Sequence, residues 1–280
     1  MKKIIVAIDG YKYPNSVTEY VIQFARQMNA HLVGVFLDDF TYHNYKIYDL
    51  VHSDEPVTEE KIMEYDEKDR ELREESANKF ESACRKAGIN YSIHHDRNFA
   101  MREILHESIY ADLLVIDRRE TLTHYEENLP TSFIKNLLTH TECPVIVTPE
   151  NVSSIKKLVL LYDGEPSSVY AIKMFSYLFS FLNNIEVEVL TVNTMTKNRH
   201  VPDNRLMKEF MKRHYPNAKY TVLTGYPDME ITNYLKHKHE DELIVLGAYR
   251  RGMISRWFKP SMADALMQEL RAPLFIAHHK

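Results

Sequence analysis

A chain of 280 residues is long enough for about two domains of ordinary size. Hydrophobic residues make up 44% and charged residues 27%, of mixed sign with a net charge of −5, so each half can bury a core and no basic excess points to nucleic acid. No apolar run approaches the ~18 residues of a membrane span, and the run Ile4 to Ile8 is too short for a signal peptide. Two widely separated cysteines, Cys84 and Cys143, argue against a disulfide framework and fit a reducing cytoplasm.

In chain order, Lys3 to Ile8 reads as a buried strand running into the turn Asp9-Gly10. A helix over 15–28 and a strand over 31–37 follow. Residues 38–61, rich in Tyr, Asp, Glu and His, have no clear period. The long helix over about 59–87 carries a charge run that reads as a solvated face. Strand 90–94, helix 99–109, strand 112–116, helix 131–140 and strand 144–148 complete the first half. After a short polar join come strand 157–162, helix 167–182, strand 185–192, helix 203–214 and strand 219–223. Helix 227–238, strand 242–246, helix 261–270 and strand 273–277 end the chain. Apolar strands alternating with amphipathic helices predict an α/β fold, each half a five-stranded, mostly parallel sheet with helices on both faces.

The halves repeat one another, so two tandem domains are expected, over 1–150 and 154–280. Lys3 to Gly10 matches Lys157 to Gly164, Asp112 to Asp117 matches Glu242 to Gly247, and Pro144 to Val147 matches Pro273 to Ile276. The offset falls from 154 at Asp9 and Asp163 to 130 at Leu114 and Ile244, so the first half holds about 24 residues that the second lacks. They are placed at 38–61, a segment whose Tyr42, Tyr45 and Tyr48 could anchor a protein partner.

In an open parallel sheet, ligands bind beyond the carboxyl ends of the strands, at the topological switch point. The first-strand turns there carry Asp9-Gly10 and Asp163-Gly164. An Asp in that place either accepts from a ribose or base or simply ends a strand in a turn. The turn after the second half's fourth strand holds Gly247, Arg250, Arg251, Gly252, Arg256 and Lys259, and Ser261 opens the helix that follows. Glycine frees the backbone and a helix amino end presents unpaired N–H groups, a combination that suits an anion. The alternative is a basic surface loop with Ser261 as an N-cap. The matching first-half turn, 117–131, has no glycine and four acidic residues (Asp117, Glu120, Glu126 and Glu127), which oppose a phosphate.

The Asp-Gly turn, the turn that opens on Gly247, the Ser or Thr that opens the last helix and the following Cys/Ala-Pro-Val/Leu strand together resemble the universal stress protein family, once per half. The resemblance implies a fold of the adenine nucleotide alpha hydrolase-like kind. Some members bind ATP through Gly-x2-Gly-x9-Gly-(Ser/Thr) after the fourth strand, with an Asp after the first strand near the adenine. Carried onto this chain, the motif begins at Gly247 and closes at Ser261, while Arg250 and Pro260 stand at its other two glycine positions. In the first half the same positions are Asp117, Glu120 and Pro130, with Thr131 closing. ATP or another adenine nucleotide is therefore a candidate ligand of the second domain only, with Asp163, Gly164, Gly247, Arg250, Arg251, Gly252 and Ser261 as its candidate residues. Family dimers pair through their last strands, which implies an intramolecular pseudo-dimer through 144–148 and 273–277, with a homodimer or a protein partner as a further expectation.

No P-loop, dinucleotide fingerprint or nucleophile elbow is present. His237, His239, Glu240 and Asp241 read as a solvated helix end in preference to a metal site, and no metal is expected. The leading reading is a cytoplasmic stress-response binding or signalling module that is not an enzyme. A second is an ATP-binding protein with weak ATPase activity, and a third a protein-interaction scaffold built on 38–61.

Overall fold

The computed structural model describes residues 1–37, 58–96, 99–122, 126–152, 154–182, 184–194, 200–236, 241–248 and 260–278. Most of the 38–61 insertion thus lies outside the described residues, as do Arg250, Arg251, Gly252 and the cluster His237, His239 and Glu240.

The described elements of the first half are β1 (Lys3–Asp9), α1 (Asn15–Met28), β2 (His31–Leu37), α2 (Glu59–Ala87), β3 (Tyr91–Asp96), α3 (Ala100–Ile109), β4 (Leu113–Asp117), α4 (Ser132–His140) and β5 (Val145–Thr148). Those of the second are β6 (Lys157–Leu161), α5 (Pro166–Leu178), β7 (Glu186–Asn193), α6 (Asn204–His214), β8 (Lys219–Thr224), α7 (Pro227–Lys236), β9 (Glu242–Leu246), α8 (Pro260–Glu269) and β10 (Leu274–Ile276). Local chemistry sets several boundaries. Thr58 caps α2 by accepting from Lys61 N at 3.3 Å, and Gly88 ends it in the left-handed region. Thr131 caps α4 through Ile134 N at 3.2 Å.

The strands form one ten-stranded sheet in the order β3-β2-β1-β4-β5-β10-β9-β6-β7-β8. Every neighbouring pair is parallel except β5 and β10, which run antiparallel with Val145 opposite Ile276, Ile146 opposite Phe275 and Val147 opposite Leu274. The two predicted five-stranded sheets are therefore continuous, joined through the last strand of each half. Each half winds its strands in the same order, with the first strand between the second and the fourth.

Side chains alternate across this sheet. Ile4, Val6 and Ile8 enter one apolar layer with α1, α2, α5 and α6, while Ile5 and Ala7 enter the opposite layer with α3, α4, α7 and α8. Both layers run through both halves. An aromatic chain joins the halves on the first face: Phe24 meets Phe179 edge-on at 5.0 Å, Phe179 stacks on Phe175 at 4.6 Å, and Phe175 meets Phe275 at 5.1 Å. This cluster explains a boundary that periodicity missed. The predicted helix 167–182 ends at Leu178 and gives way to a 3-10 turn over Ser180–Leu182. The change of direction lets both Phe179 and Phe181 reach Phe24. Strand β3 also runs further than predicted, to Asp96, because His94, His95 and Asp96 pair with Val35, Phe36 and Leu37. Among the described residues no helix is long and apolar enough to cross a membrane.

Candidate functional site

The strand order reverses beside the first strand of each half, which places the switch points between β1 and β4 and between β6 and β9. The register carries the ends of those strands side by side: Val6 lies opposite Val115, and Leu160 opposite Val245. Asp163-Gly164 and Gly247-Ala248 thus leave the sheet together in the second half, as Asp9-Gly10 and Asp117-Arg118 do in the first.

Asp163 is buried, and its Oδ1 accepts from Glu165 N at 3.0 Å, so the carboxylate shapes the turn that leads into α5. Gly164 has a φ of +87°, and a Cβ there would stand 2.7 Å from Pro202 Cβ. Pro202 is held in turn by the Tyr162 hydroxyl, which donates to its carbonyl at 3.2 Å. Burial pushes the Tyr162 phenol up to about 12.

Gly247 has a role that composition did not reveal. A Cβ there would lie 2.3 Å from the Ser167 carbonyl oxygen and 2.8 Å from Ser168 N, so the amino end of α5 packs directly on the Gly247 backbone. The glycine is needed for this contact whatever binds nearby. Helix α8 begins at Pro260, one residue before the predicted start, with Ser261 in its first turn.

The first-half switch point is filled by the chain's own groups. Asp9 is buried and accepts from Tyr11 N at 3.0 Å. Asp117 accepts from Arg119 N at 2.8 Å and pairs with the Arg119 guanidinium at 3.3 Å. Glu120 accepts from Leu122 N at 2.9 Å, and its carbonyl receives the Thr131 hydroxyl at 2.5 Å. Desolvation first, then the Asp9 carboxylate and to a lesser degree Asp117, push the Glu120 carboxyl up to about 7, against the backbone N–H of Leu122 and the Lys12 ammonium.

Helix α2 covers the same turn. The Tyr11 hydroxyl donates to Asp69 at 3.0 Å, and Arg73 hydrogen-bonds to that hydroxyl and lies 4.6 Å from the ring centroid. Ser76 donates to the Gly10 carbonyl at 2.8 Å. Burial, ahead of the opposing Arg73 charge, pushes the Tyr11 phenol up to about 12. The charge run of this helix is thus only partly a solvated face, since Asp69 is 4% exposed. Tyr11, Asp69, Arg73 and Ser76 were not singled out from the sequence. The one available signal was the repeat of Asp69, Arg73, Ser76, Phe80 and Cys84 at helical spacing within that run.

A pH effect follows from Glu120. Between the ordinary carboxyl value of 4.5 and about 7, the folded chain holds a proton that the unfolded chain has lost. The group's contribution to stability therefore falls as pH rises through that window and is flat above it. Glu120→Gln is expected to flatten this slope in unfolding curves and to raise the midpoint above pH 7. An unchanged slope would show that Glu120 ionises beside Asp9 without cost.

Among the described residues, no group of three or more His, Cys, Asp and Glu is arranged to hold a metal ion. No curated protein matches the chain. Solved structures do. A universal stress protein from Archaeoglobus fulgidus DSM 4304 superposes with a TM-score of 0.73 at 15% identity, covering 99% of this chain and 98% of the other. A chain assigned as a universal stress protein from Pseudomonas aeruginosa UCBPP-PA14 gives 0.55 at 14% identity, covering 99% and 93%. The cytoplasmic domain of a prokaryotic cation chloride cotransporter gives 0.51 at 10% identity, covering 98% and 94%. At these identities the likeness speaks for the fold, which serves unlike proteins. The model of the universal stress protein family matches residues 1–149, more than half of the 280, and the chain belongs to that family.

Proposed function

We propose that this stress-response protein is a binding module made of two tandem family domains, in which the second domain takes an adenine nucleotide and the first is a closed copy. The observation that carries this reading is the contrast between the two switch points. The first gathers Asp9, Asp117 and Glu120, with Glu120 already forced toward its neutral form. A triphosphate approaching it would meet like charge. The second has Asp163 in an ordered turn and glycine at 247, and the next helix in the chain, α8, carries Ser261 in its first turn. Unpaired N–H groups and the positive end of the helix dipole favour an anion there.

The reading is of binding in preference to turnover. The described part of the second site offers turns and backbone groups, not a nucleophile held by a base. The cytoplasm suits the two buried thiols, Cys84 and Cys143, which are free. Thermal unfolding of the full chain with and without Mg-ATP tests the proposal. The midpoint should climb steadily with ligand concentration, by an amount equivalent to about 2.7 kcal/mol at one hundred times Kd, and ATP should be recovered intact. A midpoint unmoved at millimolar ATP would remove the nucleotide, and steady release of phosphate would turn the protein into an enzyme.

A further inference from the structure

Helix α8 belongs to the second half, yet the first half holds it at three points. Arg118, the residue after β4, donates from its guanidinium to the carbonyl of Leu270 at 2.5 Å and to that of Met267 at 3.3 Å. These carbonyls lie at the carboxyl end of α8, where orphan acceptors and the negative end of the dipole favour a cation. Gln268 donates to the Leu129 carbonyl at 2.6 Å, so the 117–131 turn also reads the flank of the helix. Lys135 of α4 lies 3.9 Å from Asp264, and the 129-residue offset makes these two residues equivalents across the pseudo-two-fold axis.

The Arg118 cap is not returned at the equivalent position. At the repeat offset of 130, the counterpart of Arg118 is Ala248, whose methyl group cannot return the cap to α4. The first half has no glycine in this turn and carries a guanidinium where the turn meets its neighbour's last helix. The other end of α8, about 15 Å away along ten residues, opens at Pro260, with Ser261, one of the candidate nucleotide residues, in its first turn.

We infer that the first domain acts as a clamp on α8, with Arg118 as a positioning residue that sets where the amino end of this helix meets ligand in the second domain. The ligand part rests on the nucleotide reading above; the clamp does not. It assigns the glycine-free turn a role in its partner domain's site in place of its own.

The test uses the full chain and two readouts, amide hydrogen exchange over 264–270 and titration with Mg-ATP. Arg118→Ala should speed exchange there about tenfold, the effect of losing a charged cap. It should also weaken ATP several-fold. Arg118→Lys should restore part of both effects. Gln268→Ala, an exposed change that leaves the core intact, should move both the same way by less. Arg119→Ala is the control: it removes an adjacent charge that pairs with Asp117 and Glu150 within the first half, and should move neither. Unchanged exchange in Arg118→Ala, or equal changes in Arg119→Ala, would overturn the clamp. Faster exchange with unchanged ATP affinity would overturn the positioning role. Absence of ATP binding in the unmodified chain would instead sink the nucleotide reading, and the exchange data alone would then decide the clamp.

Discussion

Gly247→Ala is expected to cost about 3 kcal/mol or more, because the added methyl must enter backbone rather than a yielding side chain. Its Cβ would stand 2.3 Å from the Ser167 carbonyl oxygen and 2.4 Å from the carbonyl carbon. Relief requires α5 to lift off β9. That helix carries Phe175 and leads into Phe179, the two rings that join the halves through Phe275 and Phe24. The damage should therefore reach the shared apolar layer. Urea unfolding should show a lower midpoint, and a change below 1 kcal/mol would mean that the contact is slack. The same geometry rules out Gly247→Asp as a clean probe of ligand binding, since it would unseat α5 before it repelled a phosphate. Binding has to be judged on the intact turn.

Lys157→Met should be of similar size for an electrostatic reason. The Lys157 ammonium lies 2.7 Å from Glu188 and 3.3 Å from Glu242, whose side chains are only 5% and 6% exposed. Glu188 also accepts from the hydroxyls of Thr221 and Tyr234. Those donors stay when the lysine goes, but two buried carboxylates lose the cation they share. Breaking a buried pair from one side costs about 3–5 kcal/mol. The loss should shrink as pH falls, because protonation removes the repulsion that remains. Adding Glu188→Gln to the variant should recover part of it. Lys3, the first-half equivalent of Lys157, pairs instead with Glu107 of α3 at 2.8 Å; these side chains are 28% and 18% exposed, and Lys3→Met should cost less. Equal losses at Lys3 and Lys157 would show that burial is not what makes the second cluster matter.

Much of the scaffold was legible because it rests on apolar periodicity. The run Ile4-Ile5-Val6-Ala7-Ile8 has few options besides a strand buried on both faces, and its echo at 158–161 marked the second half. The pairing of β5 with β10 followed from the family resemblance, and the register confirms it. The site was less legible, since its contacts link residues far apart in sequence. Nothing near Gly10 announces that Arg73 and Ser76, more than sixty positions later, will close over it. Gly247 was visible as a glycine, but its neighbour Ser167 lies eighty positions earlier, so packing and phosphate binding read alike in the sequence. Arg118 was not singled out from the sequence, because the carbonyls it caps belong to the other half.

The central claim, one competent domain beside one closed domain, is tested most directly by binding stoichiometry. Calorimetric titration of the full chain with Mg-ATP should give one nucleotide per chain, and Asp163→Ala should weaken it while Asp9→Ala should not. Two nucleotides per chain would show that the acidic turn at 117–131 does not close the first domain. None would show that the second domain shares the family fold without this ligand.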